Sequence, residues 1–183
     1  MSSNHQITKS PDRQIHHWLT AAYTVEMVAL AVWIGGLVVI IGAVIPAVFN
    51  TFGMEPGGRF LTRVFDGYNR MVLVAMAAMG GTIAVRAWGQ QAGGPSSTLP
   101  GQTETILFGT MVLVASMIIF VLGPQSVALQ EEAFGTKEEN ARKVVYDAFF
   151  RVHMIVRGLY ILNLGLGVGL LTIKLKSFLR KDV

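Results

Sequence analysis

An uncharged run of 21 residues, "MVALAVWIGGLVVIIGAVIPA" at positions 27–47, is the feature that most restricts how this chain can fold. About 20 helical residues cross a hydrocarbon layer of roughly 30 Å. Backbone polar groups inside lipid must bond to one another, so an open chain crosses as a helix. Three further apolar runs lie near 71–88, 105–122 and 155–173. The sequence therefore predicts an all-α integral membrane protein, an antiparallel four-helix bundle.

Composition agrees with this class and excludes several others. Only 14% of the residues are charged, against roughly 25% in a typical soluble protein. The absence of cysteine excludes disulfides, cysteine zinc sites and iron–sulfur clusters. Basic residues flank the apolar runs, where they meet lipid headgroups, so we predict no nucleic-acid partner. The chain has no Walker loop, nucleophile motif, HExxH or dinucleotide fingerprint, so we predict that it is not an enzyme.

We predict three parts: a polar N-terminal tail at 1–17, one transmembrane domain at 18–176, and a basic C-terminal tail at 177–183. Four spans put both termini on one side, here called side A, together with a Gly/Pro/Ser-rich loop at 89–102. The connectors at 48–70 and 123–154 lie on the opposite side, side B. Each ends in a helical pattern, so we expect helices 2 and 4 to extend beyond the membrane.

The orientation of the chain follows only weakly from its charges. Side A carries seven of the fifteen Lys and Arg residues and side B carries eight. The cluster of basic residues at the C-terminus favours a cytoplasmic side A.

Two charged residues stand at the side-A ends of apolar runs. Glu26 comes directly before the first run, and Arg86 lies within the second. An ionisable group near hydrocarbon needs a partner or water, so the two could pair across the bundle. Alternatively, each reaches separately to the headgroups.

A second polar group is predicted at the side-B rim of helix 4. His153 and Arg157 are one helical turn apart, and Asn163 lies deeper. They either form a polar site facing helices 1 and 3, or Arg157 only anchors the helix at the interface. A buried Asn163 amide would need a partner on another helix.

Small residues and prolines suggest how the helices pack. Gly35 with Ala31, and Gly165 with Gly169, form small-xxx-small pairs, and Gly36 lies beside the first. Such faces allow close helix contact inside lipid. Pro46 and Pro124 lie at the side-B ends of helices 1 and 3, where we predict that they end or kink the helix.

No metal or cofactor is predicted, although haem and copper stay open as alternatives. A haem held by two histidines needs both at similar depth on different helices. His5, His16 and His17 precede span 1 on side A, whereas His153 is on side B. The nine methionines could line a Cu(I) path, but methionine is also a common apolar filler, and no Met-x-x-x-Met series accompanies a histidine.

Short motifs along the chain resemble one known family. They are "WIGGLVV…IPAVF" (33–49), "RVFDGYNR" (63–70), "LGPQSVALQEE" (122–132), "FFRVH" (149–153) and "NLGLGVGLL" (163–171). Together they resemble the transmembrane-protein-205-like family, a domain of unknown function. The resemblance implies a four-helix membrane protein with no settled activity. It singles out as motif positions Trp33, Pro46, Pro124, His153 and Asn163.

The chain departs from that family at two places. Gly123 stands where some relatives have an acidic residue, and the stretch before span 2 lacks the proline that relatives often carry.

Three functions are compatible with these features. The first is a non-enzymatic scaffold or accessory subunit of a membrane complex, assembled with itself or with other membrane subunits. The second is a small transporter or an ion or metal permeation protein. The third is an electron-transfer subunit in which His153 and His17 of different chains hold haem.

Overall fold

The structure is a computed structural model that describes residues 11–91 and 100–179. Within these ranges the chain is helical almost throughout, and no strand occurs there. The elements in order are α1 (Pro11–Val39), a π-helical turn (Ile40–Val44), α2 (Ile45–Phe52), α3 (Met54–Gln91), α4 (Gln102–Met117), a second π-helical turn (Ile118–Leu122), α5 (Gly123–Gly135) and α6 (Glu139–Leu179). Much of the predicted N-terminal tail, side-A loop and C-terminal tail lies outside the described residues, as does His5.

Four continuous helical segments are long and apolar enough to cross a membrane. They are span 1 (Thr20–Phe52), span 2 (Met54–Trp88), span 3 (Gln102–Gly135) and span 4 (Glu139–Ser177). The predicted all-α membrane bundle is therefore confirmed, and the protein is an integral membrane protein. Helices α3 and α6 contain 38 and 41 residues, well beyond the ~20 that one crossing needs.

In spans 1 and 3 a π-helical turn comes just before the proline, with one residue between them. Proline lacks an N–H donor and its ring clashes with the carbonyl four residues earlier. A π turn bonds residues five apart and so widens the helix; here the Ile45 and Gly123 amides donate to the Ile40 and Ile118 carbonyls. The helices then continue past Pro46 to Phe52 and past Pro124 to Gly135. Of the two predicted alternatives, the one in which these prolines end the helix is therefore wrong, and a kink at them stays a prediction.

The two helical hairpins, spans 1–2 and spans 3–4, share one pattern of landmarks. Spans 1 and 3 carry a glutamate, a buried large residue, the start of a π turn and a proline at identical spacings. Spans 2 and 4 carry two buried residues and a buried cation at identical spacings. In spans 1 and 3 the matching pairs are Glu26 with Glu104, Trp33 with Met111, Ile40 with Ile118, and Pro46 with Pro124. In spans 2 and 4 they are Ala75 with Asn163, Met79 with Gly167, and Arg86 with Lys174. This repeat brings all four charged positions to the side-A end.

Three glycines lie closest to neighbouring helices: Gly36, Gly57, where an added methyl group would lie 3.1 Å from the Phe49 ring, and Gly167. A methyl group added to Gly36 would lie 3.1 Å from the Tyr68 ring, and one added to Gly167 would lie 2.8 Å from Ile34 Cγ1. The predicted packing glycines Gly35, Gly165 and Gly169 have open space at that position. Close approach within the chain therefore occurs at Gly36, as predicted, and at Gly57 and Gly167, whereas the small-xxx-small pairs do not mediate it.

Candidate functional site

A buried cluster of charged side chains closes the side-A end of the bundle, and Glu26 is its centre. The Glu26 carboxylate accepts hydrogen bonds from Arg86 Nη1 at 2.7 Å and from Lys174 Nζ at 2.5 Å. It also accepts one from the Thr82 hydroxyl at 2.8 Å. Span 1 is thus joined to spans 2 and 4 through one carboxylate.

Lys174 extends this cluster to the remaining helix, because its ammonium group also contacts the Glu104 carboxylate in span 3. The set Glu26, Arg86, Glu104 and Lys174, called the charge network below, takes one residue from each span. Their side chains are 1%, 2%, 13% and 5% exposed, respectively. Two carboxylates and two cations make the network neutral overall. Charges this deeply buried are tolerable only when they are paired.

An aromatic residue completes the environment of Arg86. The guanidinium carbon lies 4.6 Å from the centre of the Tyr23 ring, within the range of a cation–π interaction. Nη2 also donates to the Tyr23 hydroxyl at 3.2 Å. Arg86 of span 2 therefore contacts both a carboxylate and an aromatic ring of span 1. These two contacts fix its position within the bundle.

Comparison with known families gives one match. The family model described as "Domain of unknown function (DUF4149)" matches residues 28–134, more than half of the chain. The chain belongs to this family. The DUF4149 match includes Trp33, Pro46, Arg86, Glu104 and Pro124. No curated protein and no solved structure gave a match.

The DUF4149 description carries no activity, so function has to be argued from the residues. It does not name the transmembrane-protein-205-like family, and that more specific relationship stays a prediction.

The structure places the predicted residues Glu26 and Arg86 of this DUF4149 protein in direct contact. Sequence reasoning did not single out Glu104, and it counted Lys174 only among the basic residues near the C-terminus. A signal for Glu104 was present, because it precedes Pro124 by the same number of residues as Glu26 precedes Pro46. Lys174 occupies the position in span 4 that Arg86 occupies in span 2, so the same repeat was a signal for it.

The second predicted group, at the side-B rim, does not form one cluster. His153 and Arg157 are exposed, and the described ring contact of His153 is with Phe149, one turn earlier on the same helix, at 5.4 Å. Asn163 is only 3% exposed. Its Nδ2 donates to the Met111 carbonyl in span 3 at 3.2 Å, so it has the partner on another helix that its burial requires.

Two tyrosines add further polar contacts in the middle of the bundle. The Tyr68 hydroxyl in span 2 donates to the Trp33 carbonyl in span 1 at 2.9 Å. The Tyr160 hydroxyl in span 4 donates to Asn69 Oδ1 in span 2 at 3.0 Å. These bonds join neighbouring helices without any charged group.

The described residues contain no cluster of three or more His, Cys, Asp or Glu side chains that could hold a metal ion. Met79 and Met111 are fully buried in the apolar core. The side chains of His16 and His17 lie outside the described part of the structure. The absence of haem and copper stays a prediction.

Proposed function

We propose that this DUF4149 protein is a non-enzymatic scaffold or accessory subunit of a membrane complex. The observation that carries the proposal is that one charged residue from each of the four spans enters a single buried, neutral network. Moving any span away would leave an unpaired charge in an apolar environment, which is strongly unfavourable. The network therefore favours a bundle of fixed arrangement, as a scaffold requires.

The packing next to the charge network supports a closed bundle. The next layer of the bundle towards side B contains Leu30, Met79 and Leu170, and each of these side chains is at most 1% exposed. Apolar side chains buried this fully next to the network favour a packed interior over a water-filled path. A scaffold needs no such path, whereas a transporter has to open one.

Assembly with a second copy is supported by the small residues that the bundle leaves outside. Ala31 and Gly35 are exposed on span 1, and Gly35 has open space beside it. Helices with small residues four apart pack closely as symmetric pairs in lipid. We therefore propose span 1 as the contact between two copies.

Chemical cross-linking in mild detergent and in liposomes tests this assembly. We expect a dimer whose yield falls when Gly35→Leu blocks the small-residue face. Val121→Leu enlarges an exposed position on span 3 and should leave the dimer intact. A lone monomer that conducts solute would overturn the proposal.

A permeation protein is the second candidate, because ionisable residues buried in a membrane domain often belong to ion pathways. The charge network would then act as a gate at side A, with His153 and Arg157 at the other mouth. Flux of H⁺, Na⁺, K⁺ and Cu⁺ into liposomes, compared between wild type, Glu26→Gln and His153→Ala, tests it.

The haem alternative is tested by the absorption spectrum, since a purified protein without a Soret band contains no haem.

The orientation is part of the same proposal: we place both termini on the cytoplasmic side. Because the chain has no cysteine, single cysteines report sidedness without background. Ser177→Cys on side A and Glu138→Cys on side B are both at exposed positions. An impermeant maleimide should label Glu138→Cys in intact cells and Ser177→Cys only after permeabilisation. The reverse pattern would invert the orientation.

A further inference from the structure

Asn163 leaves one buried polar atom without a partner in the middle of the bundle. Since the Met111 carbonyl can only accept a hydrogen bond, the contact between them assigns Nδ2 as the donor. The other polar atom of the amide, Asn163 Oδ1, is therefore not part of this bond, and it is buried with no hydrogen-bond partner. Buried amide oxygens are almost always hydrogen-bonded, to protein or to ordered water.

A small cavity lies beside this side chain. Its volume is about 10 Å³, and its polar lining residues are Tyr68, Asn69, Tyr160 and Asn163. A single water needs roughly 10–15 Å³ measured in this way, together with two to four polar partners. The cavity is therefore large enough for one water and too small for a hydrated ion or an organic ligand.

No described protein group around the cavity donates a hydrogen bond to Asn163 Oδ1. The Tyr68 hydroxyl proton is used on the Trp33 carbonyl, and the Tyr160 proton is used on Asn69 Oδ1. Both hydroxyl oxygens still have lone pairs that can accept. A water molecule supplies two donors, enough for Asn163 Oδ1 and for one tyrosine oxygen.

The cavity also marks where the two hairpins differ. The positions in span 2 that match Tyr160 and Asn163 are Val72 and Ala75, which are apolar and buried. Ile118 and Ile119 of the second π turn line the same cavity, and π turns often occur at functional positions.

We propose that this cavity is a binding site for one ordered water, which donates a hydrogen bond to Asn163 Oδ1 and a second one to a tyrosine hydroxyl. The water bonds to Asn163 of span 4 in a cavity that span 2 also lines, through Tyr68 and Asn69. This site goes beyond the proposed scaffold function and does not depend on it.

A structure determined at a resolution that shows ordered water is the first test. We expect a density peak at the distance of an O–H···O hydrogen bond, about 2.5–3.0 Å, from Asn163 Oδ1. A map that shows ordered waters elsewhere in the bundle but an empty cavity here would overturn the proposal.

Water contacts measured by NMR in lipid nanodiscs give a second, independent test. The wild-type protein should show a cross-peak between a long-lived water and the Asn163 side-chain amide. Asn50, which is exposed, serves as the control for bulk water. For Asn163→Leu, which keeps a similar volume but removes the acceptor, the nearby tyrosine protons should lose their water cross-peak. Two results would contradict the proposal: no water cross-peak at the Asn163 side-chain amide in the wild type, or an unchanged tyrosine–water cross-peak in Asn163→Leu.

Discussion

Lys174 in span 4 donates a hydrogen bond of 2.5 Å to Glu26 in span 1 and so joins the last membrane helix to the first. The same ammonium group contacts Glu104 in span 3, while Glu26 also pairs with Arg86 in span 2. The four charges are therefore not two separate ion pairs. Each central residue has two partners of opposite charge, so removing one leaves more than one group unbalanced.

Neutralising Glu26, the centre of the charge network, should lower the free energy of unfolding. Glu26→Gln leaves Arg86 and Lys174 buried with one carboxylate between them, and breaking buried pairs costs about 3–5 kcal/mol. We expect a loss of that size in the free energy of unfolding, measured by denaturation in micelles. Asp66→Asn is the matched control, since its pair with Arg70 is largely exposed and such pairs contribute at most about 1 kcal/mol. Equal losses in the two variants would argue against a buried network.

Lys174→Met should be rescued in part by a second substitution. The single variant leaves the Glu104 carboxylate without its Lys174 partner in a place that is only 13% exposed. Adding Glu104→Gln removes that charge and leaves the Glu26–Arg86 pair in place. We expect the double variant to be more stable than Lys174→Met by about 1–2 kcal/mol, since residues in one network couple by amounts of this size. Strictly additive losses would mean that Lys174 and Glu104 do not interact.

Two glycines of span 4 should respond in opposite ways to alanine. Gly167→Ala brings a methyl group to 2.8 Å from Ile34 Cγ1, and overpacking of this kind costs about 1–3 kcal/mol. Gly165→Ala adds a methyl group in open space and should be neutral or stabilising by up to about 1 kcal/mol, because alanine favours helix. Thermal unfolding in the same detergent compares them. A loss at Gly165 with none at Gly167 would contradict the close packing of Gly167 against Ile34 described above.

His153→Ala should leave the fold unchanged. The side chain is exposed, and substitutions at such positions usually change stability by less than about 0.5 kcal/mol. Thermal unfolding and cross-linking of the variant should therefore match the wild type. Asn163→Ala, on the same helix but buried, is the contrasting variant and should lower stability. A large loss in His153→Ala would show that the residue has a structural partner outside the single chain.

The four-helix membrane architecture could be predicted because lipid leaves an open chain few alternatives. A run such as 27–47 has to satisfy its own backbone hydrogen bonds, and only a helix does so. The role of the prolines could not be predicted in the same way. A proline can end a helix or follow a widened turn within it, and Pro46 and Pro124 follow π turns because the surrounding helices continue to pack on both sides.

Composition along the chain was enough to predict which segments cross the membrane and that Glu26 and Arg86 could pair. The tertiary structure decided that those partners form one network with Glu104 and Lys174, and that Gly36 and Gly167, rather than Gly35 and Gly165, lie against other helices. The physical reason is that helix formation in lipid depends on local composition. Which face of each helix turns inwards depends on the register and rotation of four helices together, and residues far apart in the chain set these jointly.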